Sequence, residues 1–250
     1  MINMKTKLMA HMIAGYPTMN QSETVAQALA DGGADYLEVQ FPFTDPSADG
    51  PTIEKASQIS LDNGFTVHDG FALMRRLSKR LPIPLFIMTY GSLVFARGAA
   101  AFCDEAKKAG VTGLIIPDLP PDYSEGLFEE GKKRGIAVVP VIAPEITPER
   151  LELIGTLRPE YIYTALRLGI TGGRTHLDDK TIAYLDRVGK LGGKVVAGFG
   201  VKSYEQMRAL SGHAHAAAVG SYFIERLNQA GPEADVAAIL TAAARELKEG

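Results

Sequence analysis

Short apolar runs recur along the chain, nearly every one followed by a turn signal and then by residues at helical spacing. The runs are Leu8 to Gly15, Tyr36 to Phe41, Ile83 to Tyr90, Gly113 to Asp118, Ala137 to Ala143, Tyr161 to Arg167, Lys194 to Gly200 and Ala216 to Ser221. Helical patterns are expected at Ser22 to Asp31, Val67 to Arg80, Ala99 to Ala109, Tyr123 to Arg134, Pro148 to Leu157, Asp178 to Leu191 and Ser203 to Leu210, with a last one from about Pro232 to Lys248. Such alternation predicts parallel strands joined by right-handed crossovers. Eight βα units close naturally into a (β/α)8 TIM barrel, here a single domain over residues 1–250. Neither a dinucleotide-binding Gly-x-Gly-x-x-Gly nor a P-loop occurs, which disfavours the open doubly wound sheet.

In a barrel the reacting groups belong at the C-terminal ends of the strands. Along Tyr36-Leu-Glu-Val-Gln-Phe41, Leu37, Val39 and Phe41 share one face and Tyr36, Glu38 and Gln40 the other. The apolar face suits the helix-covered outside, so Glu38 turns into the barrel. A carboxylate there must be partnered, or keep its proton and serve as an acid near neutral pH. Catalysis and a satisfied ion pair are about equally good readings of that spacing alone. The strand then enters Pro42-Phe-Thr-Asp-Pro-Ser-Ala-Asp-Gly-Pro-Thr52, a proline-stiffened loop that carries Asp45 and Asp49 over the mouth. Either aspartate alone reads as a turn former.

Three glycine-bearing segments, Ile170 to Gly173, Gly198 to Gly200 and Val219 to Ser221, fall at the mouths of the last three strands. Together they match the phosphate cradle of barrels, in which backbone N–H groups and a helix N-terminus hold the dianion. The Ser221 hydroxyl adds a donor.

Composition narrows the classes. Lys+Arg number 26 against 29 Asp+Glu, a formal charge of -3, without a long basic run, so nucleic-acid and membrane-surface binding are disfavoured. A single cysteine, Cys103, forms no internal disulfide and no cysteine-rich metal site, and it reads as a small apolar residue on a helix. No apolar stretch approaches the roughly 20 residues of a membrane span. A soluble, cytoplasmic protein is expected. His213 and His215 precede the last strand on the N-terminal side of the barrel with no third ligand, so they read as structural; no metal site is expected.

The stretch Leu37-Glu-Val-Gln-Phe-Pro-Phe-Thr-Asp-Pro-Ser-Ala-Asp-Gly-Pro-Thr-Ile53 resembles the signature of the tryptophan synthase α subunit. The resemblance continues through Ala14 to Pro17, Met88 to Tyr90, Leu93 to Phe95, Pro117 to Pro120, Tyr161 to Gly172, Gly198 to Gly200 and Gly220-Ser221, and so spans essentially the whole chain. It implies a ribulose-phosphate-binding barrel that cleaves indole-3-glycerol phosphate to indole and D-glyceraldehyde 3-phosphate by a retro-aldol reaction in tryptophan biosynthesis. The catalytic pair then matches Glu38 and Asp49. The phosphate site matches Gly172, Gly200, Gly220 and Ser221, and the indole pocket Tyr163, Thr171 and Phe199. Asp118 matches a supporting aspartate.

The resemblance also implies no cofactor in this chain. Pyridoxal phosphate belongs to a partner β subunit in an αββα heterotetramer, with contacts at Pro42 to Pro46 and Ser92 to Phe95. Several positions depart from the pattern: Gln40 replaces a glycine within reach of the catalytic carboxylate, His11 an aromatic and Ser92 an asparagine, while Leu166 and Leu168 stand at usually small or polar positions. The alternatives are a catalytically weak barrel that mainly activates the β subunit, and another phosphate-binding barrel such as indole-3-glycerol phosphate synthase. The last wants an inward catalytic lysine, which none of the eight runs supplies.

Overall fold

Period-two alternation within each run sorts the side chains onto two faces, and the strands close so that both faces are buried. The computed structural model describes residues 5–166, 177–198, 200–231 and 234–250. Its strands are β1 (Lys7–Ile13), β2 (Tyr36–Gln40), β3 (Leu85–Met88), β4 (Gly113–Ile115), β5 (Ala137–Val139), β6 (Val141–Ile142), β7 (Tyr161–Ala165), β8 (Lys194–Gly198) and β9 (Ala216–Val219). All their pairings are parallel, in the order β5-β4-β3-β2-β1-β9-β8-β7-β6.

The two ends of that order meet at Pro140. The expected fifth strand, Ala137 to Ala143, is therefore two segments rather than one, because proline has no N–H to give to a ladder. The Pro140 carbonyl still accepts from Tyr163 N at 3.0 Å, which joins the fifth position of the barrel to β7. This is a (β/α)8 TIM barrel whose fifth strand is broken in the middle.

Leu8, Ala10 and Met12 of β1 and Leu37 and Val39 of β2 point outward into the layer beneath the helices, with Leu29, Leu77, Phe102, Leu185 and Leu247. Each such leucine, fully removed from water, contributes about 2 kcal/mol. Cys103 is buried in this layer on helix Ala99–Lys108, where burial pushes its thiol up to about 11. The inward face changes character along the barrel axis. At the bottom Tyr36, Phe86 and Tyr161 pack edge to face with centroids 5.1 to 6.1 Å apart. One step further up β2 the inward residue is Glu38, and one step beyond Tyr161 on β7 it is Tyr163. The interior is thus apolar at its floor and polar at its mouth.

Helices Ser22–Asp31 and Val67–Arg80 coincide with the sequence expectation. The second is fixed by a capping box in which Thr66 and Asp69 bond reciprocally. Three α-helices were not anticipated: the short Gly91–Arg97 after β3, and two longer ones. Pro51–Asp62 buries Ile53, Ala56, Ser57 and Ser60, a face with correct i, i+3, i+4, i+7 spacing but too few large apolar residues to show as a hydrophobic stripe. Ser221–Ala230 starts one residue after β9, so its apolar start, Tyr222, Phe223 and Ile224, follows the expected run Ala216 to Ser221 with no separate helix signal. Both longer helices begin at the barrel mouth, and both contribute to the site.

Candidate active site

The strongest constraint on the site is register. In the β1–β2 ladder His11 lies opposite Glu38 and Ile13 opposite Gln40. His11 Nδ1 is 3.2 Å from Glu38 Oε1, and both side chains are buried. Glu38 Oε2 and His11 Nε2 have no protein partner. The imidazole fits because the facing position on the last strand's loop is glycine: a Cβ at Gly220 would lie 2.9 Å from His11 Cδ2. Burial alone pushes the His11 imidazole down, but the facing carboxylates of Glu38 and Asp49 outweigh it, and the group sits above the ordinary histidine range.

Asp49 reaches the same cavity from the loop after β2. The chain turns at Asp49 N→Pro46 O, 2.9 Å, and helix Pro51–Asp62 starts after Gly50 with proline at its first position, which pins the carboxylate over the mouth. Gln40 Nε2 donates to Asp49 Oδ2 at 2.7 Å and the Tyr90 hydroxyl to the same oxygen at 3.0 Å. Burial raises the Asp49 carboxyl above the usual carboxylate range, while the His11 imidazole and these two donors pull it back. Gln40 therefore holds Asp49, not Glu38, and its own Oε1 is unpartnered. Tyr90, the donor missed from sequence, follows Phe86 and Met88 at period two on the inward face, which is the signal that finds it. Burial and the charge of Asp49 keep its hydroxyl protonated well beyond neutral pH.

The opposite wall is built from backbone. Gly200 has φ +91°, a conformation that suits glycine and strains any other residue. Gly220 precedes helix Ser221–Ala230, and buried Ser221 is its first residue; both line the cavity, so the positive end of the helix dipole lies at its wall. Tyr163 rises between the walls, and a Cβ at Gly198 would lie 2.4 Å from its hydroxyl oxygen. Burial, with Glu38 and Asp49 nearby, holds that hydroxyl well above the ordinary phenol range.

One cleft of about 590 Å³, mouth included, is lined by His11, Glu38, Asp49, Tyr163, Gly200, Gly220 and Ser221, among others. Of the five buried unpartnered polar atoms among the described residues, those on His11 and Glu38 belong to residues lining the cleft, and a third is on Gln40, which bonds Asp49. Unpartnered buried polar atoms are rare and costly, so their clustering marks where a ligand's own donors and acceptors belong. Gly172, Thr171 and Phe199 lie outside the described residues, as does Leu168.

Asp118 does not line this cleft. Its carboxylate accepts from Gly91 N at 2.9 and 3.2 Å and so holds the start of helix Gly91–Arg97. His213 and His215 part company: the first bonds Asp186 at 2.7 Å and the second the Tyr36 hydroxyl at 2.8 Å. Among the described residues no helix is long and apolar enough to cross a membrane.

Residues 1–250 match the family model described as tryptophan synthase alpha chain. The tryptophan synthase alpha chain of Helicobacter hepaticus is 42% identical over 90% of this chain and 87% of its own length. That of Methanosarcina barkeri is 37% identical over 97% of this chain and 90% of its own. Among solved structures, Mycobacterium tuberculosis tryptophan synthase superposes with a TM-score of 0.89 at 30% identity, covering 98% of this chain and 91% of that one. A chain of the tryptophan synthase a2b2 complex of Pyrococcus furiosus does so with a TM-score of 0.86 at 28% identity, covering 98% and 99%. With barrel, paired carboxylates and glycine-lined wall in place along its whole length, this chain belongs to the tryptophan synthase alpha chain family.

Proposed function

We propose that this chain carries out the alpha reaction of tryptophan synthase, as an indole-3-glycerol-phosphate lyase, with Glu38 and Asp49 as its catalytic pair. The observation that carries the reading is the meeting of two buried carboxylates from different segments in one cleft that faces a glycine-lined helix N-terminus. Cleaving the bond at indole C3 first requires a proton on that carbon, and Glu38, with its free Oε2, is the acid. The indoleninium so formed is cationic at its ring N–H. Asp49, fixed through Oδ2 by Gln40 and Tyr90, keeps Oδ1 to accept that N–H and stabilise the charge. Glu38, now a carboxylate, removes the proton from the glycerol hydroxyl beside the breaking bond; indole and glyceraldehyde 3-phosphate separate, and the acid is restored.

Gly200, Gly220 and Ser221, with Gly172, hold the phosphate by backbone N–H groups, one hydroxyl and the helix dipole. Tyr163, with Thr171 and Phe199, borders the indole. Asp118 supports the mouth through the helix it caps. None of these steps calls on a cofactor in this chain; pyridoxal phosphate would be held by the β subunit. That subunit is expected to dock at the mouth, over Pro42 to Pro46 and Ser92 to Phe95. Here Thr44, Asp45 and Ser92 are exposed and Phe43 stacks on Tyr90 with centroids 5.5 Å apart, whereas Val94 is fully buried and serves the core instead.

The test is steady-state release of indole from indole-3-glycerol phosphate, with and without a β subunit. The sequence contains no tryptophan, so indole fluorescence is read against a low background. Indole release that rises on adding the partner supports the reading; no release in either condition contradicts it.

A further inference from the structure

The wall that carries Glu38 holds a group for which the reaction as described has no use. His11 is buried, is opposite Glu38 in the ladder, and meets it at 3.2 Å, while its Nε2 has no partner. A histidine ring beside the reacting acid is costly to desolvate, and an apolar ring of similar size would fill the space without that cost. We propose that His11 is a positioning residue for Glu38: its Nδ1–H holds Oε1 and so presents Oε2 to the substrate, and the two side chains titrate as a coupled pair.

The geometry supports each part. A carboxyl group with one oxygen engaged and the other free has its direction fixed, and that orientation is what a general acid needs. Proton counting is equally simple. The productive pair holds one transferable proton, on Glu38 Oε2, beside a neutral imidazole whose Nδ1–H faces Oε1. When Oε2 gives its proton to C3, the pair is left as neutral imidazole and carboxylate, with Nδ1–H still donating to Oε1. The glycerol hydroxyl then returns one proton to Glu38, and the count closes. Because the two groups are coupled, protons leave the pair, not either residue alone.

The groups that face His11 allow this reading. Glu38 and Gln40 approach from β2, Asp49 from the following loop, and Tyr163 from β7; Tyr90 reaches the set through Asp49. Gly220 and Ser221 bring no charge. His11 is the one basic side chain among the described residues that line the cleft, so no lysine or arginine competes for Glu38. The inference rests on the proposed reaction for its kinetic consequences, but the pairing itself is testable without substrate.

Two experiments decide it. In the first, the wild-type chain and Glu38→Gln are labelled with ¹⁵N-histidine and the His11 ring nitrogens are followed through a pH titration by NMR. A midpoint above that of an ordinary histidine in the wild type, falling in Glu38→Gln, supports the pairing; superimposable titrations overturn it. In the second, the pH profile of kcat is compared for wild type, His11→Phe and His11→Asn. Loss of the Nδ1–H bond in His11→Phe is expected to lower kcat about tenfold or more with KM within about threefold. His11→Asn, which restores a donor but does not titrate, recovers part of kcat, and in both variants the basic limb moves to lower pH. A His11→Phe enzyme with wild-type kcat and an unmoved profile overturns the inference. Wild-type chain that releases no indole overturns the proposed reaction instead, and His11's pairing is then decided by the titration alone.

Discussion

The two walls of the cleft are made of different materials. On the β1–β3 side the polar groups of the cleft are side chains beside other side chains: Glu38 meets His11 at 3.2 Å, and Asp49 accepts from Gln40 and Tyr90. On the β8–β9 side the groups are backbone, exposed by glycines at 200 and 220 and aimed by one helix start. Side chains change protonation state and so can move protons. Peptide N–H groups keep theirs at any working pH and so can hold a dianion without taking part in acid–base chemistry. The difference predicts a division of labour, with turnover set by the first wall and substrate capture by the second.

The largest effects should come from the reacting groups. Glu38→Gln and Asp49→Asn each lower kcat for indole release by about 10²- to 10⁴-fold with the fold retained, as circular dichroism would show, and leave KM within about threefold. Next is the boundary between the walls. In Gly220→Val the new side chain meets the His11 ring, where even a Cβ lies at 2.9 Å, so it disturbs both walls at once. Overpacking of that kind costs about 1 to 3 kcal/mol in thermal unfolding, and KM and kcat worsen together.

The smaller predictions separate the walls. Tyr90→Phe removes one donor from Asp49, worth about 3- to 10-fold in kcat. The sign of the pH effect follows from the donor's role. Hydrogen bonds to the ionised carboxylate favour it, so without Tyr90 the Asp49 carboxyl rises further and the acid limb of the kcat profile moves to higher pH. An acid limb that stays put would break the claim that Tyr90 tunes Asp49. Ser221→Ala, by contrast, raises KM about 2- to 10-fold, leaves kcat near wild type and does not move the pH profile. A fall in kcat with unchanged KM would erase the proposed division.

How far the sequence foretold each wall follows from the same physics. The barrel was legible because period-two runs alternate with helical ones, and Glu38 because three apolar neighbours on the other face of β2 leave it only the interior. Broken β5 and β6 were not separated, since Ala137 to Ala143 reads as continuous β with Pro140 its single irregularity. Helix Pro51–Asp62 was missed because its buried face relies on Ala56, Ser57 and Ser60, small residues that permit close packing on the barrel mouth but carry little hydrophobic signal. The partners of the carboxylates were hidden for a different reason. That His11 meets Glu38 depends on ladder register, and that Gln40 turns to Asp49 depends on a loop bending back over the strand; neither is a local property of the chain. Asp118 stood out by resemblance, yet its carboxylate holds a helix terminus outside the cleft lining.

In the proposed reaction turnover belongs to Glu38, while the backbone wall holds the substrate. One preparation of Glu38→Gln separates the two walls when both the affinity for indole-3-glycerol phosphate, by calorimetry, and the rate of indole release are measured on it. Affinity is expected within a few-fold of wild type, with release reduced at least about a hundredfold. Indole released at the wild-type rate would contradict that role for Glu38.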